Sequence, residues 1–357
     1  MKKVLIANIF GIGDVLNTTP LVGNLKKLYG AEISIDYLCN ARAKPIVENI
    51  PDINSVFVYE KDDFVSLWKK SKWQCLREIF KLFGAIKEKR YDTVLDFTLS
   101  REFGFLFMLS GIPCRAGLSY KKRGIFLEHK VPFKAFTGKH VVEYYFDVLR
   151  CLDIPVVEKN MRLVPDEKNR VWAENYLREK NIDSKRFVAI VPGGGASWGE
   201  QAQRRRWNPE NFSRVADILS ENSYQVIFIG DDSEKELCNT ALRKMKMSSA
   251  ITENSLTLKQ YVALLNESAL VLCNDGGPLH ITTALNVKGV FVFGPVDDKV
   301  YGPYPVSRRH ISVTADGVEC RPCYYKFRLP ECEHNKKCLT EIRPEQVAEK
   351  CLELLET

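Results

Sequence analysis

Apolar runs of strand length alternate with helical patterns along the whole chain, and this alternation limits the possible folds more than any other feature. The strand-like runs form two series: residues 4–7, 33–38, 55–58 and 93–97, then residues 187–191, 225–229, 269–273 and 289–293. Helical spacing at 210–219, 235–244 and 258–266 separates runs of the second series. Such alternation predicts parallel sheets flanked by helices. Because 357 residues exceed what one core usually holds, we expect an α/β fold in two domains, residues 1–165 and 166–357.

The composition is that of a soluble globular protein, with 45% hydrophobic and 27% charged residues. The first eight residues include two lysines, but their apolar segment is too short for a signal peptide. These features predict a cytoplasmic protein. A net charge of +7 weakly favours an acidic partner: a phosphorylated glycolipid, a membrane surface or nucleic acid.

Residues 68–90 combine an apolar stripe with a basic surface. Apolar residues recur at helical spacing, at Leu76, Ile79, Phe80, Phe83 and Ile86, among eight lysines and arginines. A helix of this kind either lies against anionic lipid head groups or packs on its own sheet with a solvated basic face.

Residues 274–285 follow a strand-like run and open a helix-like one, which is typical of a phosphate site. Gly276 and Gly277 allow close backbone approach, and the unpaired N–H groups of a helix start favour an anion. Asp275 and His280 are then candidates for contacts with what the phosphates carry. An ordinary strand-turn-helix corner, with Pro278 in the first helical turn, is the alternative.

The turn after the first strand presents an acidic residue. One interpretation is that the turn containing Gly11 and Gly13 points Asp14 into the crevice between the domains, where its carboxylate takes a proton from an attacking hydroxyl. Another is that Asp14 only caps the next helix. A third is a nicotinamide fingerprint with Asp36, but Leu16 stands where its third glycine is expected.

The second half offers groups suited to a diphosphate. Residues 193–195 are three glycines after a strand, and Arg204, Arg205 and Arg206 precede a helix; guanidinium groups bind phosphates through paired donors. Glu234 is a candidate to accept hydrogen bonds from ribose hydroxyls; the alternative is an ordinary acidic residue in the first turn of a helix. The sequence has no Asp-x-Asp triplet, which gives no sign of a nucleotide sugar held through a divalent metal.

Four of the eleven cysteines are concentrated in residues 320–338. They are Cys320, Cys323, Cys332 and Cys338. In a cytoplasmic protein this pattern is compatible with a structural zinc or iron site. Reduced or reversibly oxidised thiols are the alternative.

Several of these motifs together resemble glycosyltransferase family 9, the ADP-heptose:lipopolysaccharide heptosyltransferases. They are Gly13-Asp14 with Pro20, Arg205 two residues before Trp207, Gly230 with Glu234, and Asp275-x-Gly277-x-x-His280. The cysteine segment and Pro344 to Val347 look similar to heptosyltransferase II-like members, and the cysteines also resemble the four-cysteine iron site of autotransporter heptosyltransferases.

The resemblance implies a GT-B architecture, in which two Rossmann-like domains face a central cleft. The first domain would bind the acceptor and the second, which ends in the cysteine-rich segment and a helix, the nucleotide sugar. It also implies inverting transfer of L-glycero-D-manno-heptose from ADP-heptose to the lipopolysaccharide inner core, with no catalytic metal.

The resemblance also implies residue roles. Asp14 is the base beside Gly13. In the donor site Gly194 lines the glycine loop, Arg205 and the N–H groups of Gly276 and Gly277 hold the diphosphate, His280 contacts phosphate, Glu234 the ribose and Asp275 the heptose or its loop. Apart from the resemblance, Lys121, Lys122 and Arg123 would add to a basic surface for an acidic acceptor, with solvated loop charge as the alternative.

The implied location is the cytoplasmic face of the inner membrane, with peripheral contact and no nucleic-acid partner. Three features depart from the family pattern: Arg205 replaces a lysine, Gly276 replaces threonine or serine, and Asn208 separates Trp207 from Pro209. The alternatives are a family 9 enzyme with another nucleotide sugar or a protein acceptor, an NAD-dependent oxidoreductase, and a non-catalytic sugar-nucleotide binding protein.

Overall fold

Two six-stranded parallel sheets, each flanked by helices, form the framework of the protein. The structure is a computed structural model that describes residues 1–50, 52–247 and 250–357, with the backbone alone at 196–198 and 200. The chain divides into two compact units, Met1–Leu163 and Val164–Thr357. The predicted α/β fold with two parallel sheets is confirmed.

The first unit contains the strands β1 to β6 in the order β3-β2-β1-β4-β5-β6. The strands are β1 Lys3–Ala7, β2 Ser34–Cys39, β3 Ser55–Val58, β4 Thr93–Asp96, β5 Cys114–Tyr120 and β6 His129–Phe133. The helices are α1 Ile12–Tyr29, α2 Lys44–Val47, α3 Lys61–Lys70, α4 Lys72–Glu88, α5 Arg101–Leu109 and α6 Val141–Arg150, with 3₁₀ turns at Gly30–Glu32 and Gly124–Phe126. In β1, Val4 to Ala7 are buried, as expected for a central strand covered on both faces.

The second unit contains β7 to β12 in the order β12-β11-β10-β7-β8-β9. The strands are β7 Phe187–Val191, β8 Gln225–Ile229, β9 Ala250–Glu253, β10 Leu270–Asn274, β11 Gly289–Phe293 and β12 His310–Thr314. The helices are α7 Glu167–Glu179, α8 Pro209–Glu221, α9 Lys235–Lys244, α10 Leu258–Asn266, α11 Gly277–Ala284, α12 Asp298–Tyr301, α13 Lys337–Thr340 and α14 Pro344–Glu356, with 3₁₀ turns at Ser184–Arg186, Ala196–Arg204 and Asp232–Glu234. The last helix packs against α8 and over β10 and β11, so the end of the chain completes the second core.

The basic stretch expected as one helix is two helices, α3 and α4, which meet at Ser71. The Ser71 side chain accepts a hydrogen bond from Gln74 N at 3.3 Å and caps α4. Phe83 and Ile86 are buried in the core of the first unit, and Ile79 packs against it. Leu76 and Phe80 are instead exposed. Packing on the sheet therefore accounts for one part of the predicted apolar stripe and leaves the other uncovered.

Asp36 is placed unfavourably for a nicotinamide site. It is the third residue of β2, where it pairs with Leu5 and Ser55 rather than ending the strand. Its buried carboxylate accepts a hydrogen bond from the Tyr91 hydroxyl and lies 3.4 Å from Lys89 Nζ. Asp36 therefore links the sheet to the end of α4. It does not serve as the acidic residue that a dinucleotide-binding fingerprint requires.

In the part of the chain that the structure describes, no helix is long and apolar enough to cross a membrane.

Candidate active site

The predicted donor residues of the second unit gather at the carboxyl edge of its sheet. The loops after β7, β8 and β10 adjoin there because these strands are neighbours in the sheet. Gly194 follows β7, Glu234 follows β8 and Asp275 follows β10. Ligands of open parallel sheets bind at this edge, so the fold brings the three loops to one candidate site.

Glu234 holds the glycine loop, residues 193–195, in place. Its buried carboxylate accepts hydrogen bonds through Oε1 from Gly194 N at 2.6 Å and from Arg206 Nη2 at 3.0 Å. Arg206 Nε also donates to the Gly194 carbonyl at 2.9 Å. Glu234 therefore neutralises Arg206 and holds both sides of the loop, and a ribose hydroxyl bound here would share an acceptor that is already engaged.

Arg205 forms a buried ion pair with Asp275. Only 8% and 4% of the two side chains are exposed, and Arg205 donates to Asp275 Oδ2 through Nη2 and through Nε, the latter at 3.1 Å. Arg204 points elsewhere, because its Nη1 donates to the Pro330 carbonyl at 3.2 Å. Among the three consecutive arginines, Arg205 is thus the one fixed beside the turn that leads into α11.

One buried amide ties two loops of this site together. Asn274, the last residue of β10, donates through Nδ2 to the carbonyls of Pro192 at 2.8 Å and Gly193 at 3.1 Å. Its Oδ1 accepts from Trp207 N at 2.9 Å. Neither Asn274 nor Trp207 was among the predicted site residues. The position of Asn274, directly before Asp275 at a strand end, was the available signal.

The turn into α11 requires glycine at position 276. Gly276 has φ of 151° and ψ of −159°, a conformation that residues with a Cβ rarely adopt. A threonine or serine at position 276 would therefore be strained in this turn. The N–H groups that open α11 lack intrahelical partners and carry the positive end of the helix dipole. His280, which is 6% exposed, lies one turn further on.

Replacing Gly193 with Ala is expected to disturb the site through Glu234. A Cβ at position 193 would overlap the Glu234 carboxylate, so the carboxylate must move away from Gly194 and Arg206. We expect a loss of about 1–3 kcal/mol in the free energy of unfolding, measured by urea denaturation. Gly84→Ala in α4 is the control, since a Cβ there has no atom within 4 Å. Unchanged stability in Gly193→Ala would contradict the proposed strain.

Asp14 lies in the first turn of α1, the helix that follows the carboxyl end of β1. The N-cap residue of this helix is Gly11, which has no side chain, so Asp14 does not fill the capping position considered from the sequence. The preceding turn is shaped by Asn8, whose Nδ2 donates to the Asp14 carbonyl at 3.0 Å and whose Oδ1 accepts from Phe10 N at 3.1 Å. The fold thus holds Gly13 and Asp14 at the carboxyl edge of the first sheet.

The predicted basic loop lies at the same edge, after β5. Lys121, Lys122 and Arg123 are exposed. The Lys121 ammonium and the Arg123 guanidinium lie 4.9 and 5.7 Å from the centre of the Tyr120 ring. Since β5 is separated from β1 by β4 alone, the loop and Asp14 share one edge of the sheet.

A second carboxylate, Asp96, ends β4 and was not singled out from the sequence. It pairs in register with Ala7, the last residue of β1, and is 4% exposed. Burial raises its pKa from the ordinary 3.8 to about 6, although Thr98 donates to its Oδ1 from N at 2.9 Å and from Oγ1 at 2.7 Å. The signal in the sequence was an aspartate closing an apolar run.

The raised pKa of Asp96 predicts a pH-dependent stability. Between pH 4 and 6 the native state holds this proton more tightly than the unfolded state, so the free energy of unfolding should fall as pH rises through this range. The contribution is about 3 kcal/mol. Urea denaturation at pH 4 and pH 7 should show a steeper loss for the wild type than for Asp96→Asn, which does not titrate. Parallel losses in the two proteins would contradict the shift.

The cysteine segment does not support the predicted metal site. Among the described residues, no group of three or more His, Cys, Asp or Glu side chains is placed to hold a metal ion. Cys338 packs in the hydrophobic core of the second unit, whereas Cys332 is exposed and its Sγ accepts from Lys336 N at 3.2 Å. Cys320 and Cys323 are partly buried free thiols. The predicted zinc or iron site is therefore unsupported, although the four thiols lie near one another: burial and then the charges of Cys323, Cys320 and Cys332 raise the pKa of Cys338.

Comparison with known proteins identifies similar chains. Residues 79–329 match the family model described as glycosyltransferase family 9 (heptosyltransferase). Lipooligosaccharide heptosyltransferase 2 of Campylobacter jejuni is 27% identical over 276 residues, covering 75% of this chain and 81% of that protein.

Two solved structures have the same fold as this chain. The structure of E. coli ADP-heptose lipopolysaccharide heptosyltransferase II has a TM-score of 0.76 at 21% identity, covering 100% of this chain and 99% of that one. A glycosyltransferase family 9 structure from Veillonella parvula has a TM-score of 0.82 at 21% identity, covering 99% and 97%. The predicted GT-B fold class is confirmed.

Proposed function

Because this chain belongs to glycosyltransferase family 9, we propose that it transfers L-glycero-D-manno-heptose from ADP-heptose to a sugar hydroxyl of the lipopolysaccharide inner core. The transfer inverts the anomeric centre and uses no metal cofactor. The observation that carries the proposal is the convergence of Glu234, Arg205 with Asp275, and the start of α11 at one sheet edge. The heptosyltransferase names of the relatives support the choice of sugar.

In this proposal the second unit holds the donor. The diphosphate lies against the opening N–H groups of α11, at Gly276 and Gly277, with His280 one turn behind them. Arg205, held by its hydrogen bonds to Asp275, places a permanent positive charge beside the diphosphate. Asp275 thereby orients the guanidinium as well as lying close to the heptose. Fixed donors of this kind stabilise the charge that develops on the leaving ADP, the role a metal fills elsewhere.

The first unit holds the acceptor and the base. The Asp14 carboxylate takes the proton of the attacking hydroxyl while the hydroxyl oxygen forms the bond to the anomeric carbon of the heptose. The bond from that carbon to the phosphate oxygen breaks on the opposite side, and its electron pair leaves with ADP. Gly13 lets the acceptor approach the backbone, and Lys121, Lys122 and Arg123 attract the acidic groups of the inner core.

Because the proposed acceptor is linked to lipid, the reaction would take place at a membrane surface. We place the protein in the cytoplasm, working at the cytoplasmic face of the inner membrane, where the growing inner core is presented. Its partners are then the nucleotide sugar and the lipopolysaccharide precursor, and nucleic acid has no role in the reaction.

A transfer assay tests the proposal directly. ADP should be released only when ADP-heptose and a heptose-deficient inner-core acceptor are both present, and the acceptor should gain one heptose in its mass spectrum. Release of UDP or GDP from the corresponding sugar nucleotides, with no reaction of ADP-heptose, would reject the donor. Transfer to a protein and not to the lipid acceptor would reject the acceptor.

Nucleotide selectivity gives a prediction that needs no acceptor. ADP is expected to raise the melting temperature by several degrees, because a ligand at 100 times its Kd stabilises the native state by about 2.7 kcal/mol. UDP, GDP and NAD at the same concentration should change it little. Differential scanning fluorimetry provides the measurement, and stabilisation by NAD alone would reject the glycosyltransferase site.

A further inference from the structure

The outer surface of three helices in the first unit is unusually apolar. Eight of the nineteen exposed large hydrophobic side chains in the described residues lie on α3, α4 and α5, which make up only about a tenth of the chain. The most prominent are Trp68, Trp73, Phe80 and Leu109, with 46%, 83%, 65% and 53% of their surface exposed. We call the outer side of α3, α4 and α5 the helical layer.

Aromatic side chains beneath the helical layer pack α4 against α5. The Phe83 ring of α4 lies 5.8 Å from the Phe103 ring and 5.6 Å from the Phe107 ring of α5. These phenylalanines pack in the core of the first unit, so α4 and α5 lie side by side on the sheet. Lys72 Nζ, at the start of α4, lies 5.6 Å from the centre of the Trp68 ring of α3.

Helix α4 has two apolar stripes, of which the sheet covers one. Phe83 and Ile86 face the core. Trp73, Leu76 and Phe80 are spaced i, i+3 and i+7, which places them on one side of the helix, and all three are exposed. A row of exposed Trp, Leu and Phe side chains along one helix is typical of a surface that binds another molecule.

The charge of the helical layer complements an anionic surface. Residues 61–90 contain nine lysines and arginines and four acidic residues, a net charge of +5 within a chain whose total is +7. Arg77 and Lys81 are exposed beside the outer stripe of α4. Tryptophan with flanking basic residues is the composition of helices that lie at the boundary between lipid head groups and acyl chains.

We propose that the helical layer docks on the surface of a bilayer containing anionic lipid, with Trp73 and Phe80 entering the interface and the flanking lysines meeting the phosphates. A second copy of this chain is a poor occupant, because two layers of net charge +5 would face each other. This inference rests on the proposed function, which already places the protein at a membrane, and adds which surface makes the contact.

Vesicle sedimentation in the absence of any sugar substrate tests the proposal. The whole protein should sediment with vesicles of phosphatidylcholine and phosphatidylglycerol and much less with phosphatidylcholine alone. Trp73→Ala/Phe80→Ala should lower the partition coefficient by about tenfold or more, since each ring loses its apolar transfer. Lys69→Glu/Lys70→Glu/Lys72→Glu should bind the mixed vesicles no better than the neutral ones.

Matched variants separate docking from general loss of apolar or basic surface. Leu28→Ala/Tyr29→Ala removes comparably exposed side chains from α1, a helix that packs against α6 and by the right-handed crossover rule lies on the other face of the sheet. Lys168→Glu/Lys180→Glu/Lys185→Glu makes the same charge change in the second unit. Both controls should bind vesicles as the wild type does.

Tryptophan fluorescence provides a second readout. Vesicles should shift the emission to shorter wavelength, and Trp68→Phe/Trp73→Phe should abolish the shift while circular dichroism stays native. The proposal is overturned if the wild type binds neither vesicle, or if Trp73→Ala/Phe80→Ala binds as the wild type does. It is also overturned if that variant converts a dimer to a monomer in light scattering without lipid, which would assign the surface to a second copy.

Discussion

Replacing Asp14 with Asn is expected to abolish heptosyl transfer while leaving ADP affinity nearly intact. The amide cannot accept the proton of the attacking hydroxyl, and loss of a general base lowers the rate by about 100- to 10,000-fold. Asn has nearly the same shape, and the Asp14 carbonyl, not its carboxylate, accepts the hydrogen bond from Asn8. The turn at the start of α1 should therefore persist.

The measurements are kcat from ADP release and the Kd of ADP from calorimetry. Asp62→Asn is a matched control, because Asp62 is also an acid in the first turn of a helix of the first unit. It should transfer heptose at the wild-type rate. Wild-type kcat in Asp14→Asn would remove the base assignment, and loss of ADP binding would move Asp14 to a structural or donor-binding role.

Breaking the ion pair between Arg205 and Asp275 is expected to cost both stability and ADP binding. Removing one partner leaves a charge that is almost fully buried, and such changes destabilise proteins by about 3–5 kcal/mol. Arg205→Ala also removes the guanidinium that we assign to the diphosphate, so ADP affinity should fall further than in Asp275→Ala. The double variant should be less destabilised than the sum of the single variants, because neither charge is left without its partner.

Urea denaturation and calorimetry with ADP measure the two effects. Arg214→Ala is the control, because Arg214 pairs with Glu345 at 3.3 Å on the exposed surface of the same unit; pairs of this kind contribute little to stability. Additive losses in the double variant would show that the pair does not act as a unit. Full ADP affinity in Arg205→Ala would show that another group binds the phosphates.

The central strands and the edge strand β3, Ser55–Val58, were predictable from the sequence, and the other three edge strands were not. β7, β8 and β11 have the predicted bounds, since all or nearly all of their residues are buried and form unbroken apolar runs. β6, β9 and β12 were missed. Each is the last strand at one edge of its sheet, and half-exposed edge strands carry mixed sequences, such as His129–Phe133 with its internal lysine and proline.

The candidate site was predictable as a set of positions but not as a set of contacts. Strand ends with Gly, Asp or Arg identify the carboxyl edge, because parallel strands all end there. Which of Arg204, Arg205 and Arg206 faces that edge depends on the path of the loop and on partners such as Pro330, about 126 residues away in sequence. The same limit applies to the cysteines, whose spacing resembled a metal site while Cys338 packs in a core.

The Asn274 side chain couples the ordering of two loops of the candidate donor site. Since the same amide bonds the loop after β7 and the backbone of Trp207, restraining one loop narrows the motion of the other. When a nucleotide binds one loop, the entropic cost of ordering the second loop is therefore reduced. We expect the phosphate and sugar ends of a bound donor to strengthen each other's binding, because each end orders a loop that Asn274 links to the other.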